Sequence, residues 1–366
     1  MKKLLQIMAT LSLLTSASLP LASCTIPQKE NFNADDLIGK NIDTSKQVDD
    51  SNNQGLFTNF YTVGDSLSDT GALIGSINQQ FGLNLEIDSP SWNNSFTNSD
   101  TAAKKLAIRL GFNTDDWNYA YNFGKQNHHG NNYAVGGATA SSVTGGGGLL
   151  LNKFKIKSQT EALIRQHKVK KTDLVFFEIG GNDLFQVIGK SQKFQQEKIE
   201  EAIEEIRQAL LVLLNNGIEH IIVMNAPDVS KIPSYNTQSE KVKQEAHNLS
   251  QEFNEQFQEI FDDLDKKHPN KLKMFDLYTE FNIMLDKFEE EVDGGDSKTA
   301  CVNMNTDLNT IANQQKIEIK FESGCSLEKL DQHFFFDGVH PTEWGHEYVA
   351  EKLYQLALEW EEPNNA

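Results

Sequence analysis

Residues Leu174 to Ile179 read Leu-Val-Phe-Phe-Glu-Ile and run straight into Gly180-Gly181. A nearly continuous apolar stretch of this length does not alternate between a wet and a dry face. It predicts a central strand of a parallel sheet, covered on both sides. Four further strands are predicted around it: Phe60–Val63 ending at Gly64, Asn132–Val135 ending at Gly136-Gly137, Ile221–Met224, and Leu272–Phe275. Between them, Ile199, Ala202, Ile203, Ile206, Leu210, Leu213 and Leu214 recur at helical spacing until Asn215-Asn216-Gly217 stops the helix. A second helix is predicted over Lys241 to Leu264. A third follows Pro341 and carries Trp344, Tyr348, Leu353, Leu356 and Trp360. Strands alternating with helices predict an α/β fold, a parallel sheet wrapped on both faces. No break in composition divides residues 56–366, so they are expected to form one domain, with insertions expected at about 72–130 and 277–330.

In open parallel sheets, functional groups gather at the carboxyl ends of the strands. The first predicted strand runs into Gly64-Asp65-Ser66-Leu67-Ser68-Asp69-Thr70-Gly71, the second into Gly136-Gly137-Ala138-Thr139, and the third into Gly180-Gly181-Asn182-Asp183. A late loop holds Asp337-Gly338-Val339-His340-Pro341. Each alone reads as a glycine turn or a helix cap; four of them at strand ends or loops read as a site. Acyl transfer needs a nucleophile, a base, a group that orients the base, and donors for the developing oxyanion. Ser66 follows a strand and opens a helix, which exposes its hydroxyl near helix N–H donors. His340 is the candidate base, and Asp337, three residues earlier, is placed to fix its tautomer. The Gly-x-Ser-x-Gly elbow of the other large hydrolase fold is absent, because Ser66 sits in Val-Gly-Asp-Ser-Leu.

The four segments, GDSLSDTG, NYAVGGA, GGND and DGVHP, resemble the four blocks of the SGNH hydrolases, also called the GDSL lipase/esterase family, over about Phe57 to Leu358. The forms of the first two blocks are most similar to secreted bacterial members. The resemblance implies a three-layer α/β/α, flavodoxin-like fold with a five-stranded parallel sheet. It implies an esterase or lipase using Ser66, His340 and Asp337 through an acyl-enzyme, with no cofactor or metal. It places the oxyanion hole on the Ser66 and Gly137 backbone N–H groups and the Asn182 side chain, with Gly136 the nearest rival to Gly137. Phe336 stands where relatives often have Trp, a difference of packing around the loop. Secreted relatives often carry a cysteine pair before the Asp–His loop, which implies a Cys301–Cys325 disulfide.

The first segment is read as a targeting signal. Lys2 and Lys3 precede a short apolar run from Leu4 to Leu14, too short to span a bilayer. Leu21-Ala22-Ser23-Cys24 resembles the bacterial lipobox, which implies cleavage after residue 23 and diacylglycerol on Cys24. Residues 24–55 are then a lipidated cysteine and a polar tether, and the protein an exported, membrane-anchored lipoprotein. With 33 Lys+Arg against 52 Asp+Glu, the chain carries a formal charge of −19. Such an acidic surface repels phosphates, which argues against a nucleic-acid partner and leaves membrane attachment to the lipid.

Other features read as structure. His128-His129 lack a carboxylate at ligand spacing and read as a solvated loop. Gly145 to Gly148 lack the Gly-Lys-Ser/Thr of a phosphate loop and read as a mobile rim of the active site. The acidic run Glu197 to Glu205 reads as the wet face of its helix. The expected activity is hydrolysis of a carboxylic ester, with a lipid or phospholipid acyl ester favoured. The alternatives are glycan O-acetyl ester hydrolysis and a non-catalytic surface adhesin on the same fold.

Overall fold

The computed structural model describes Gln47 and residues 55–114, 130–145, 147–305 and 315–361. The expected signal segment, Cys24, all of the tether except Gln47 and Gly55, and His128-His129 lie outside the described residues. In chain order the elements are β1 (Phe60–Val63), α1 (Ala72–Phe81), β2 (Glu86–Ile87), α2 (Ala102–Arg109), α3 (Gly148–Leu151), α4 (Ile156–Gln166), β3 (Leu174–Glu178), α5 (Gly181–Val187), α6 (Gln192–Asn215), β4 (His220–Met224), α7 (Glu240–Lys267), β5 (Leu272–Phe275), α8 (Leu277–Glu291), β6 (Asp296–Ala300), β7 (Val302–Asn305), β8 (Lys316–Phe321), β9 (His333–Phe335) and α9 (Glu343–Leu358). Among the described residues no helix is long and apolar enough to cross a membrane.

The central sheet has the order β1-β3-β4-β5, all parallel. Every residue of β3 is buried, as the unbroken apolar run requires. The strand expected over Asn132–Val135 is reduced to one bridge, Thr62 with Asn132, on the outer side of β1. Its backbone still follows β1: Thr62 N–H donates to Asn131 O, Tyr133 N–H to Thr62 O, and Val135 N–H to Gly64 O. On the outer side the Ala134 N–H is taken by Asn132 Oδ1 at 3.0 Å, and among the described residues no further strand pairs there. The sheet therefore has four full strands and a bridged edge, where five were expected.

Helices α4, α6 and α7 pack in sequence along one layer, while α9 lies against β4 and β5 with α2 and α8 beside it. The buried stripe of α6, from Ile199 through Ala202, Ile206 and Leu210 to Leu214, is the one its periodicity predicts. Its start is fixed by Ser191, whose hydroxyl accepts the Phe194 N–H, and Ser239 and Asp276 start α7 and α8 in the same way. The acidic run is solvated at Glu197, Glu200 and Glu204, whereas Glu201 and Glu205 are half-buried, Glu205 pairing with Lys155 at 3.4 Å. Glu201 accepts the Ser142 N–H at 2.8 Å and pairs with Lys198 at 2.7 Å.

The two insertions fold together. Strand β2 from the first pairs with β8 from the second, which also pairs with β7. Strand β6 pairs with β9, just before the Asp337 loop. Cys301 and Cys325 are joined by a disulfide, with Cα atoms 5.3 Å apart. Beside it, Cys301 N–H donates to Phe335 O and Val302 N–H to Phe336 O. The bridge thus anchors the segment that feeds the loop. Closing 24 residues constrains the unfolded chain by about 3 kcal/mol in the chain-entropy model. Reduction, or paired Cys301→Ser and Cys325→Ser substitution, is expected to lower the urea midpoint by that equivalent; an unchanged midpoint would show that the bridge adds nothing.

Candidate active site

Strand β1 delivers Gly64 to the rim of the sheet beside the end of β3, and the turn that follows is held from both sides. Gln159, fully buried on α4, accepts the Gly64 N–H at 2.7 Å and returns its own amide hydrogen to Gly64 O at 2.8 Å. Glu178, the last residue of β3, accepts the Asp65 N–H at 2.7 Å. A Cβ at position 64 would lie 2.0 Å from Glu178 Oε1, so only glycine admits this carboxyl. Burial pushes the Glu178 carboxyl well above the usual range, and the neighbouring Asp65 charge pushes it further. Asp65 is also raised by burial, but Leu67 N–H, His340 and Asn182 pull it back.

The late loop is a narrow hairpin. Phe336 N–H donates to His340 O, and Thr342 N–H to Phe334 O. Inside it, Asp337 Oδ1 accepts the backbone N–H groups of Val339 and His340, both at 2.8 Å. His340 Nδ1 then lies 2.9 Å from each Asp337 carboxylate oxygen, and Nε2 lies 2.7 Å from Ser66 Oγ. With Nδ1–H directed at Asp337, Nε2 is left to accept the Ser66 proton. All three side chains are buried. Phe96 stacks on the His340 ring, centroids 5.1 Å apart, and fixes its plane without a hydrogen bond.

The donors divide unevenly. Gly136 N–H is spent on Asp69 Oδ2 at 2.6 Å, which favours Gly137 of the two glycines. Gly137 has φ 79°, and neither its N–H nor that of Ser66 donates to a group among the described residues. Asn182 is different: its amide nitrogen donates to Asp65 Oδ2 at 3.1 Å and Ala138 O at 3.0 Å. Gly148, expected in a mobile rim, begins α3 instead, and Leu151 at the end of that helix covers Gly137.

An apolar pocket opens from Ser66 and His340 into the body of the domain. Phe176 and Met224 line it from the sheet, Phe281 and Met284 from α8, and Val349 from α9. Its polar lining includes Glu178, whose carboxyl burial pushes well above the usual range, and His346, whose imidazole burial pulls down to about 3.

Gln159, Glu178, Phe96 and His346 were not singled out in the sequence. Only the short distance from Glu178 to Gly180-Gly181 offered a signal, since an acid inside an apolar strand calls for a partner.

The match to known proteins can be set beside this geometry. The profile of the GDSL-like lipase/acylhydrolase family matches residues 60–353, and the chain belongs to that family. It is 25% identical over 297 residues to the thermolabile hemolysin of Vibrio parahaemolyticus, covering 80% of this chain and 62% of that one. It is 23% identical over 225 residues to the secreted effector protein SseJ of Salmonella typhimurium, covering 60% of this chain and 48% of that one. The chain thus spans about half to three fifths of the length of these curated relatives. Among solved structures, an acetylxylan esterase of Geobacillus stearothermophilus superposes with a TM-score of 0.41 at 14% identity, over 84% of this chain and 95% of that one.

Asp183, beside Asn182, accepts Ala140 N–H at 2.9 Å and the Ser141 N–H and hydroxyl at 2.8 and 2.6 Å. Burial nevertheless pushes its carboxyl up to about 6. A raised carboxyl binds its proton more tightly folded than unfolded. Its contribution is therefore full below about pH 4 and is lost as pH rises through about 6. Between pH 7 and pH 5 the wild type is expected to gain about 1 kcal/mol from this group. An Asp183→Asn variant, compared by urea unfolding at both values, is expected to lack that gain; an identical gain in both chains would refute the assignment.

Proposed function

We propose that the protein hydrolyses carboxylic esters of fatty acyl groups. The observation that carries this reading is the continuous line from Asp337 through His340 to Ser66 Oγ at the mouth of an apolar pocket. Ser66 Oγ attacks the ester carbonyl carbon while His340 Nε2 takes its proton. Asp337 holds the imidazole tautomer and stabilises the imidazolium. The tetrahedral oxyanion is received by the Ser66 and Gly137 N–H groups, and by Asn182 once it exchanges one of its two present bonds. Collapse breaks the bond to the alcohol oxygen, which leaves with the proton from His340. Water, deprotonated by His340, then attacks the acyl-enzyme and releases the acid and free Ser66.

The lipid preference is supported by the pocket's lining, because an acetyl group would leave Phe281, Met284 and the deeper sheet residues without contact. Each additional methylene buried there adds about 0.8 kcal/mol. The glycan O-acetyl ester alternative predicts no gain from longer acyl chains. For location, we propose an exported lipoprotein held by diacylglycerol on Cys24, with residues 24–55 as its tether. The lipobox-like Leu21–Cys24 supports this, and the similarity to a secreted effector protein and to a hemolysin is compatible with export.

The test is a series of p-nitrophenyl esters of increasing chain length. The wild type is expected to show kcat/KM rising from acetate to octanoate. Ser66→Ala and His340→Ala are expected to lose at least about a thousandfold, and Asp337→Asn to keep measurable residual activity. Near wild-type turnover by Ser66→Ala would remove the proposed nucleophile, and a maximum at acetate would favour the glycan reading.

A further inference from the structure

His346, on the wall of the apolar pocket, is held by the protein on one side of its ring only. The two amides of the same lining are engaged: Asn225 donates to Asp276 Oδ1 at 2.7 Å and accepts the Tyr278 N–H at 3.0 Å, and Asn182 is held by Asp65 and Ala138. The imidazole of His346 accepts the Ala102 N–H on Nδ1 at 3.2 Å, which serves the start of α2 where Thr101 makes no cap bond. Its Nε2 has no hydrogen-bond partner among the described residues. Unlike Thr101 Oγ1, which is unpartnered and sealed off, Nε2 keeps accessible surface.

That surface faces the pocket. The residue as a whole is 4% exposed, and the pocket is what it lines. Val349, three residues further along α9, lines the same pocket, and residues at that spacing share one face of a helix. His346 is the earlier of the two, in the first turn of α9, which follows directly from the His340 loop. The donor therefore sits toward the end of the pocket nearest the reacting groups.

Its chemistry is fixed as well. Burial, and after it the charges of Lys105 and His340, pull the imidazole down to about 3. The ring is neutral at ordinary pH, and with Nδ1 accepting, its proton sits on Nε2. An uncharged N–H thus points into space otherwise walled by Phe176, Met224, Phe281 and Met284. A plain hydrocarbon chain would cover this donor and leave it unpaired, whereas a chain bearing an acceptor at the same level would satisfy it. The acceptor must itself be neutral, because a charged group would be desolvated without a counter-charge.

We propose that His346 is a specificity-determining residue that selects acyl chains carrying a hydroxyl or keto oxygen within the first few carbons from the ester carbonyl. This inference deepens, and rests on, the reading of Ser66 as nucleophile and of the apolar pocket as the acyl site. The substituent accepts from Nε2–H while the rest of the chain lies against the aromatic and methionine side chains.

The test uses the full chain with p-nitrophenyl octanoate and p-nitrophenyl 3-hydroxyoctanoate. The wild type is expected to show kcat/KM about tenfold higher on the hydroxy ester. His346→Phe, which keeps a ring and removes the donor, is expected to bring that ratio to about one or below, chiefly through KM. Because the ratio is taken within one chain, loss of the Ala102 bond or of folded protein cancels from it. A wild-type ratio of one or less, or a ratio unchanged by the substitution, would overturn the proposal. Calorimetric titration of the wild type with octanamide and 3-hydroxyoctanamide reads the pocket without turnover and without the variant. A hydroxyl ordinarily weakens entry into an apolar site, so binding of the hydroxyamide about tenfold tighter supports the proposal, and equal or weaker binding overturns it. If neither ester is cleaved, the failure belongs to the Ser66 reading, and the titration still decides for His346.

Discussion

The site depends on how closely the end of β3 approaches the turn after β1. Glu178 reaches across to the Asp65 N–H through the space that a side chain at position 64 would fill, and Gln159 takes both backbone groups of Gly64 from the opposite layer. The Gly64 and Asp65 N–H groups, which would otherwise be buried without partners, are thereby satisfied, and the direction in which the chain leaves the sheet is set. Ser66 inherits that direction. Its hydroxyl meets His340 without any strained elbow, because the turn is braced by side chains from two other elements.

The histidine arrives by a separate route. The Asp337 carboxylate closes its own loop on two backbone N–H groups before it touches the imidazole, so the spacing of three residues is enough to orient the ring. Behind the loop, strand β9 is tied to β6, and the disulfide lies next to that junction. The second insertion thus braces the Asp337–His340 loop, and α8 from the same segment forms one wall of the apolar pocket.

Much of this was legible in the sequence, for identifiable reasons. The central sheet was, because β3 is apolar throughout and α6 carries its stripe without interruption. The Ser66, Asp337 and His340 positions were, because each sits in a short segment whose residues act on one another locally. Asn132–Val135 was overestimated: the alternation is present, but Asn132 turns its side chain inward to Ser68 O and back to Ala134 N–H, and the segment gains a partner on one side only. Gln159, Glu178 and Phe96 were not legible, since each acts on a residue dozens to hundreds of positions away, and no periodicity records such a contact. Pairing between the two insertions was hidden for the same reason: β2 has two residues, and its partner β8 lies more than two hundred positions further on.

The central claim is that Ser66, activated by His340, forms a covalent bond to the acyl carbon. It is tested most directly by exposing the full chain to an activated alkyl phosphonate, whose tetrahedral phosphorus mimics the acylation step, and mapping the adduct by peptide mass spectrometry. The account predicts one adduct, on the peptide that contains Ser66, forming far more slowly in a His340→Ala chain. An adduct on a different residue, or labelling of Ser66 at an equal rate without the histidine, would contradict it.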